Sequence, residues 1–222
     1  MNDTDTDKVS RYFDRTAATF DALYAEEASG PIMRFVNGTW RRDIYQRFLL
    51  TLEHVRRHDV KSVLDVGCGS GRYARALIES GVEHVTGVDV APRMVDLARR
   101  QVADLVAAGA SVNLVVSDFD GFKIDRRFDA VVAMGFFDYV ADPVPVLQRM
   151  RELATGWVIV SFPSVSWYRT PIRKVRYAFK KCPVHFYTTD DIRRLSLAAG
   201  FKSQETVKID GAGMDYFVAF RI

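Results

Sequence analysis

Short runs rich in β-branched residues alternate with helix-like stretches between residues 61 and 162 of this 222-residue chain. This succession of strand and helix, repeated four times, is typical of βαβ units, in which a helix connects two parallel strands. We therefore predict an α/β fold with a mostly parallel sheet and helices on both faces. The strand-like runs are SVLDVG, HVTGVDV, VNLVVSD, RFDAVVAMG and GWVIVSF.

The last 35 residues depart from this pattern. The segment TTDDIRRLSLAAG predicts a helix with Thr189 or Asp190 as its N-cap and Gly200 as its stop. Two strand-like runs follow, KSQETVKI and MDYFVAFRI, and the turn DGAG separates them. Strands joined so tightly run antiparallel, so we predict a seven-stranded sheet that ends in an antiparallel hairpin.

The composition is that of a globular protein with one core, since 48% of the residues are hydrophobic and 27% are charged. The net charge of +3 is too small to imply a polyanionic partner. No apolar run approaches the roughly 18 residues that a membrane span needs. The acidic, polar N-terminus is unlike a secretory signal, so a cytoplasmic location is expected.

Cysteine and histidine are too scattered to predict a metal site. Cys68 and Cys182 lie far apart, and the four histidines show no ligand spacing. We therefore expect no metal and a reducing compartment.

The pattern also predicts how the chain is organised. Residues 9–58 look helical and are interrupted by SGP at positions 29–31, so we expect residues 1–58 to form a helical lid. The core then spans 59–222 and carries an aromatic and basic insert at about 163–187.

A glycine-rich loop, VGCGSG, follows the first strand and precedes a helix. Such a loop lets backbone amides and a helix N-terminus approach a polar ligand. The dinucleotide fingerprint requires glycine or alanine five positions after Gly67, where this chain has Arg72. The Gly-Lys-Ser/Thr ending of a phosphate-binding P-loop is missing as well.

Acidic residues accompany this loop at the ends of successive strands: Asp65 in the first, Asp89 in the second and Asp118 in the third. With Asp-x-Gly-x-Gly-x-Gly in the loop, the chain resembles the class I S-adenosylmethionine-dependent methyltransferases, which have a Rossmann-like fold. The resemblance implies that the loop holds the methionine half of the cofactor. It also implies that Asp89 accepts the ribose hydroxyls and Asp118 the adenine amino group.

The N-terminal run SRYFDRTAATFDALY resembles the helical lid of quinone and small-molecule methyltransferases, and its aromatic residues either cover the pocket or pack the lid. Phe119 either stacks on adenine or packs in the core. The cofactor site implied by the resemblance comprises Asp65, Gly67, Cys68, Gly69, Gly71, Asp89, Val90, Asp118, Phe119 and Met134, with Tyr12 and Tyr24 from the lid.

The acceptor side is predicted to follow the fourth strand, where the chain reads GFFDYV. Methyltransferases that act on base nitrogens often have Asn- or Asp-Pro-Pro-aromatic here, so the departure argues against DNA and favours a small or lipid-like substrate. Asp138, Tyr139 and His185 are candidate base or orienting groups. The alternatives are that Asp138 caps the next helix, Tyr139 packs and His185 is structural.

The insert places basic residues among apolar ones, which predicts an amphipathic helix. Its basic face is either solvated, or it binds an anionic substrate or a membrane surface. Nothing resembles a dedicated RNA module. The cations are Arg169, Arg173, Lys174, Arg176, Lys180 and Lys181.

Two segments, WRRDIYQRF and SFPSVSWYRTPIRKVRYAF, are similar to magnesium-protoporphyrin methyltransferases, which methylate a propionate. The chain is thus expected to transfer a methyl group from S-adenosylmethionine to an oxygen or nitrogen of a small anionic or amphiphilic molecule, leaving S-adenosylhomocysteine. A non-catalytic cofactor-binding module is the alternative from another class. No sequence feature isolates an oligomer interface.

Overall fold

The computed structural model describes residues 7, 9–14, 31–164, 185–209 and 215–222, with side chains of its first long helix from residue 44 onward. Tyr24, Cys182 and the basic segment at 169–181 lie outside the described residues. Residues 9–14 are helical.

Six further helices and seven strands follow in the described part of the chain. The helices are α1 (Pro31–Arg57), α2 (Arg72–Glu79), α3 (Pro92–Gln101), α4 (Ala103–Ala107), α5 (Pro143–Leu153) and α6 (Thr189–Ala199). The strands are β1 (Ser62–Val66), β2 (His84–Asp89), β3 (Ser111–Val116), β4 (Phe128–Ala133), β5 (Ala154–Phe162), β6 (Ser203–Lys208) and β7 (Tyr216–Arg221).

The strands form one sheet in the order β3-β2-β1-β4-β5-β7-β6. The first five strands pair in parallel, whereas β7 runs antiparallel to both β5 and β6. The predicted seven-stranded, mostly parallel sheet with a terminal antiparallel hairpin is therefore confirmed. The order reverses between β1 and β4, and in open α/β sheets ligands bind outside the carboxyl ends of the strands at such a point.

Each face of the sheet has its own apolar core. Alternate residues of β5 divide between the two, with Trp157 and Ile159 in one and Val158 and Val160 in the other. The first core is completed by α1, α2 and α3, and the second by α5 and α6. Helices thus cover both faces, as a parallel sheet requires.

Local signals set the helix ends, with two differences from the sequence expectation. Thr188, one residue before the predicted cap, forms a capping box with Asp191, and Gly200 closes α6 at a φ of 80°. The run PRMVDLARRQVADLVAAG at 92–109 is typical of one helix, but the helix is interrupted at Val102, whose φ is −109° and whose side chain is buried in the first core. Burial of this β-branched side chain outweighs continuity of the helix.

None of the described helices is both long enough and apolar enough to cross a membrane.

The end of α1 docks on the sheet through a buried aromatic cluster. The His54 ring is 4% exposed and lies 4.4 Å from both the His58 and the Trp157 ring centroids. Its Nδ1 atom is 3.9 Å from Oε2 of the exposed Glu205. Burial, reinforced by the nearby His58, Arg57 and Arg221, lowers the pKa of His54 to about 4.

Acidification should therefore destabilise the protein through His54. Because its pKa falls from 6.5 when unfolded to about 4 when folded, the neutral ring favours folding above pH 6.5, and this advantage is lost as the pH falls towards 4. Between pH 7 and pH 5 we expect His54→Gln to lose about 1–2 kcal/mol less unfolding free energy than the wild type. Urea unfolding at both pH values measures this, with exposed His84→Gln as the control. Parallel losses in all three proteins would contradict the assignment.

Candidate active site

The glycine-rich loop leaves β1 and is held against the end of β2. The backbone N–H groups of Gly67 and Cys68 both donate to the Val88 carbonyl, at 2.8 and 3.1 Å. The Gly71 N–H closes the loop by donating to the Cys68 carbonyl at 3.0 Å. The loop is thus held in place by hydrogen bonds to the neighbouring strand β2.

The three glycines of the loop all have positive φ but face different surroundings. A Cβ atom on Gly71 would lie 2.8 Å from Ala98 of α3, so this glycine permits close approach of a helix. A Cβ atom on Gly67 would lie 3.0 Å from the Phe136 ring. At Gly69, with φ of 52°, a Cβ atom would meet nothing within 4 Å, so here the backbone faces open space in which a ligand can approach.

Asp89 ends β2 with its carboxylate fixed by two backbone donors. Oδ2 accepts from the Gly69 N–H and Oδ1 from the Ala91 N–H, both at 2.9 Å. Burial raises the pKa of Asp89, and these N–H groups oppose the rise. The residue is only half-buried, so a ligand resting on the open side of Gly69 can reach the carboxylate.

Asp65, in β1, is 2% exposed, and the alternation of side chains along the strand places it on the same face as Val63 of the first core. Its Oδ2 atom has no hydrogen-bond partner among the described residues. Burial, and then the charge of Asp89, raises the pKa of Asp65 to about 7. Neither acid forms an ion pair within the described part of the chain, so this edge holds negative charge that a cationic ligand would neutralise.

Cys68 is buried, and its thiol lies in the space beside Gly87. Burial raises the pKa of this thiol, so it stays neutral. Its side chain thus fills a small space in the loop. Its backbone N–H is one of the two that bind the loop to the Val88 carbonyl.

The third acidic position lies just beyond its strand. β3 ends at Val116, and exposed Asp118 accepts the Gly121 N–H at 2.6 Å. Phe119 is 7% exposed, lies in the second core and has the Arg149 guanidinium over its ring at 5.2 Å. The structure thus shows core packing for Phe119, and the adenine contacts of both residues stay predictions.

The N-terminal helix at residues 9–14 lies over the loop that follows Asp89. Ser10 Oγ donates to the Val90 carbonyl at 3.1 Å, and Asp14 Oδ1 accepts the Arg93 N–H at 3.1 Å. Phe13 packs against the small core of Ala91 and Met94. Tyr12 rests edge-on against Phe13, with ring centroids 5.1 Å apart.

Residues after β4 form the opposite side of the site. Met134 is partly buried against the first core, and a single 3-10 turn spans Phe137–Tyr139. The Tyr139 ring meets Phe13 edge-on at 5.6 Å, which joins the N-terminal helix to this turn. Asp138 is 8% exposed, and Asp142, not Asp138, caps α5.

His185 and Tyr187 tie the end of the insert to the same turn. The His185 N–H donates to the Asp138 carbonyl at 3.0 Å, while the His185 Nε2 atom is buried without a partner among the described residues. The buried Tyr187 hydroxyl lies 3.4 Å from the Phe137 carbonyl and 3.3 Å from the Val140 carbonyl, within reach to donate to either. The three candidate catalytic residues, Asp138, Tyr139 and His185, are therefore neighbours.

Sequence reasoning missed a polar group made by Arg47, Ser161 and Asp215. Arg47 Nη1 donates to Ser161 Oγ at 3.2 Å and lies 3.5 Å from Asp215 Oδ2. The only sequence signals are a serine inside the apolar run VIVSF and an aspartate directly before β7. No group of three histidine, cysteine or acidic side chains suited to a metal occurs within the ranges that the structure covers.

Comparisons with known proteins agree with this geometry. A family model described as "Methyltransferase domain" matches residues 34–206. The chain is 28% identical over 199 residues to a ubiquinone biosynthesis O-methyltransferase of Nitrosospira multiformis, covering 78% of this chain and 82% of that one. It is 26% identical to the Xylella fastidiosa protein of the same description, covering 94% and 87%.

A solved structure of magnesium protoporphyrin IX methyltransferase from Synechocystis, with bound S-adenosylhomocysteine, has the same fold. The TM-score is 0.80 with 19% identity, and the similarity covers 98% of this chain and 99% of that one. S-adenosylmethionine is the cofactor of this class of protein. The residues at the edge fit it, because the unpartnered Asp65 oxygen and the open face of Gly69 suit a ligand with an ammonium and a positively charged sulfur.

Asp65 should lower the stability of the ligand-free fold and strengthen cofactor binding. Folding moves its pKa from 3.8 to about 7, so ionised Asp65 destabilises the ligand-free fold above pH 7, and this cost disappears as the pH falls towards 4. We expect Asp65→Asn to raise the Tm by at least about 3 °C at pH 8, by less than half of that gain at pH 5, and to weaken S-adenosylhomocysteine binding. Thermal melts and calorimetry test this, with exposed Asp125→Asn as the control. An equal gain at both pH values would contradict the burial explanation.

Asp89 should govern cofactor affinity. Asp89→Ala removes the carboxylate held by Gly69 and Ala91, so we expect the Kd for S-adenosylhomocysteine to rise at least about tenfold by calorimetry. Exposed Asp96→Ala, on the adjacent helix α3, is the matched control and should bind normally. An unchanged Kd in Asp89→Ala would mean that this acid does not contact the cofactor.

Proposed function

This chain belongs to the methyltransferase domain family, and on that premise we propose that it transfers a methyl group from S-adenosylmethionine to an oxygen of a small, amphiphilic, anionic molecule. Cofactor binding rests chiefly on the fixed pairing of Gly69 and Asp89, which places a carboxylate beside open space at the carboxyl edge of the sheet. The choice of an oxygen acceptor has separate support, from the relatives and from the basic segment at 169–181.

S-adenosylmethionine, when bound, supplies a methyl group that is already activated by the adjoining positive sulfur. The protein then has to bind, orient and exclude water rather than provide a strong catalytic group. The glycine loop, Asp65 and Asp89 would hold the cofactor, and the helix at 9–14 would cover it, since that helix already contacts Val90 and Tyr139.

The acceptor is proposed to bind beside the turn that follows β4. Phe136 touches Gly67 of the cofactor loop, and the same turn carries Asp138 and Tyr139, so this turn lies next to the donor site. A hydroxyl acceptor must lose a proton, and Asp138 or His185 are the candidates to receive it. A carboxylate acceptor is already ionised and needs no base.

Two observations favour an anionic or amphiphilic oxygen acceptor. The curated relatives over most of the chain are named O-methyltransferases of ubiquinone biosynthesis. The segment at 169–181 brings six cations and interleaved apolar residues to the chain between β5 and His185. Cations and apolar surface together suit a ligand with a charged group on a flat or lipid-like body.

A carboxylate acceptor is the second candidate function. The structural similarity to magnesium protoporphyrin IX methyltransferase extends along 98% of this chain and 99% of that protein, beyond the cofactor-binding core alone. A molecule of that class has a large flat ring, which the aromatic residues around the turn and the insert would suit.

Methyl transfer to two probes tests the proposal. Purified protein is incubated with isotopically labelled S-adenosylmethionine and either a demethylated ubiquinol analogue with a short isoprenoid tail or magnesium protoporphyrin IX. We expect the label in one of the two products and, with Asp89→Ala, a loss of at least about tenfold in kcat/KM. Binding of S-adenosylhomocysteine without transfer to either probe would reject this acceptor class and support a non-catalytic module or a different substrate.

A further inference from the structure

A second polar cluster lies at the carboxyl edge of the sheet, away from Asp65 and Asp89. Ser161 Oγ is its centre, because it accepts both from Arg47 Nη1 at 3.2 Å and from the Gly135 N–H at 2.8 Å. Arg47 Nη1 also pairs with Asp215 Oδ2 at 3.5 Å. The side chains of Arg47 and Asp215 are only 14% and 7% exposed, and Ser161 is 1% exposed.

This cluster adjoins the donor site on one side. Gly135 directly precedes Phe136, the ring that a Cβ atom on Gly67 would meet at 3.0 Å. A Cβ atom on Gly135 itself would lie 3.7 Å from Arg47 Nη1. Gly135 and Phe136 therefore lie between the Arg47 guanidinium and the glycine loop.

The three residues of the cluster come from distant parts of the chain. Ser161 lies near the end of β5, just before the insert, and Asp215 directly precedes β7, after residues 210–214. Arg47 comes from α1, the helix that follows the N-terminal segment. The cluster thus joins α1 to the sheet between β5 and β7.

The fold has little need of this charge. A buried ion pair is costly to desolvate and is often no more stabilising than apolar residues of the same volume. α1 is already docked on the sheet by its last turns, where Val55 and His54 are buried in contact with β5 and β7 residues.

We infer that Arg47 binds the anionic oxygen group of the methyl acceptor, with Ser161 and Asp215 as positioning residues that hold its guanidinium beside Gly135. The planar fork of arginine matches a carboxylate or an ionised ring hydroxyl, and Asp215 would share the guanidinium with that group. This inference rests on the proposed function and assigns its acceptor specificity to one residue.

The test separates acceptor binding from cofactor binding and from folding. Arg47→Met, Arg47→Lys and Asp215→Asn are compared with wild type, and Arg56→Gln removes an exposed cation from the same helix as the matched control. Three quantities are measured: the Tm, the Kd for S-adenosylhomocysteine by calorimetry, and KM and kcat with each of the two probes. Equilibrium binding of magnesium protoporphyrin IX, followed by its fluorescence with S-adenosylhomocysteine bound, adds a readout that needs no turnover.

We expect Arg47→Met to raise the acceptor KM at least about tenfold while the Kd for S-adenosylhomocysteine changes less than about twofold. Arg47→Lys, which keeps the charge but loses the fork, should raise KM several-fold, and Asp215→Asn should do the same. Arg56→Gln should behave as wild type. Which probe shows the effect tells whether the group is a carboxylate or a ring hydroxyl.

Several outcomes would overturn the inference. If the wild type methylates a probe and its KM is unchanged in Arg47→Met, Arg47 does not bind the acceptor, and the proposed function still stands. A lowered Tm with unchanged KM would make Arg47 only structural. Should Arg47→Met fail to fold, an unchanged KM in Arg47→Lys decides against the inference in the same way. If the wild type methylates and binds neither probe, the proposed acceptor class fails and this inference fails with it.

Discussion

The site depends on the attachment of the glycine loop to the end of β2. One carbonyl, that of Val88, accepts two amides of the loop, and the next residue, Asp89, accepts a third from Gly69. Because β1 and β2 are adjacent parallel strands, both ends arrive at the same edge and these bonds can form. Loop shape and carboxylate position are thus set together. Because folding already orders the loop, a ligand that binds there loses little affinity to the conformational entropy of the loop.

Buried polar and charged side chains gather at the edge of the sheet that carries the glycine loop. The middle of the sheet is apolar on both faces, whereas Asp65, Asp138, Ser161 and Asp215 are buried polar residues at or near its carboxyl edge. Such groups are unfavourable for folding alone, and the raised pKa of Asp65 reflects that burial. The edge divides into an acidic side around Asp65 and Asp89, which we propose binds the methyl donor, and a mixed-charge side around Arg47, which we propose binds the acceptor.

Much of the fold and the donor side could be predicted from sequence because both rest on local signals. Hydrophobic periodicity and turn residues predicted the seven strands, and the glycine loop with Asp65 and Asp89 carried the family resemblance that implied the cofactor site. The acceptor side was harder, because Arg47, Ser161 and Asp215 are brought together over more than 100 residues of sequence by the strand order. Nothing local distinguishes such residues, and even the cap of α5 differs from the sequence alternative, which gave Asp138 that role, whereas Asp142 caps the helix.

Tyr187 has a consequence for how proteins of this kind diversify. Its backbone N–H bonds to the Pro163 carbonyl at 2.8 Å, it bridges Ser164, and its hydroxyl reaches the turn after β4. The two ends of the intervening segment are thereby joined at a common base, independently of what lies between them. A segment closed at its base can be lengthened, shortened or exchanged at small entropic cost while the loop that binds the methyl donor keeps its position. The anchoring of this segment is therefore separate from the anchoring of the glycine loop, which depends on Val88 and Asp89.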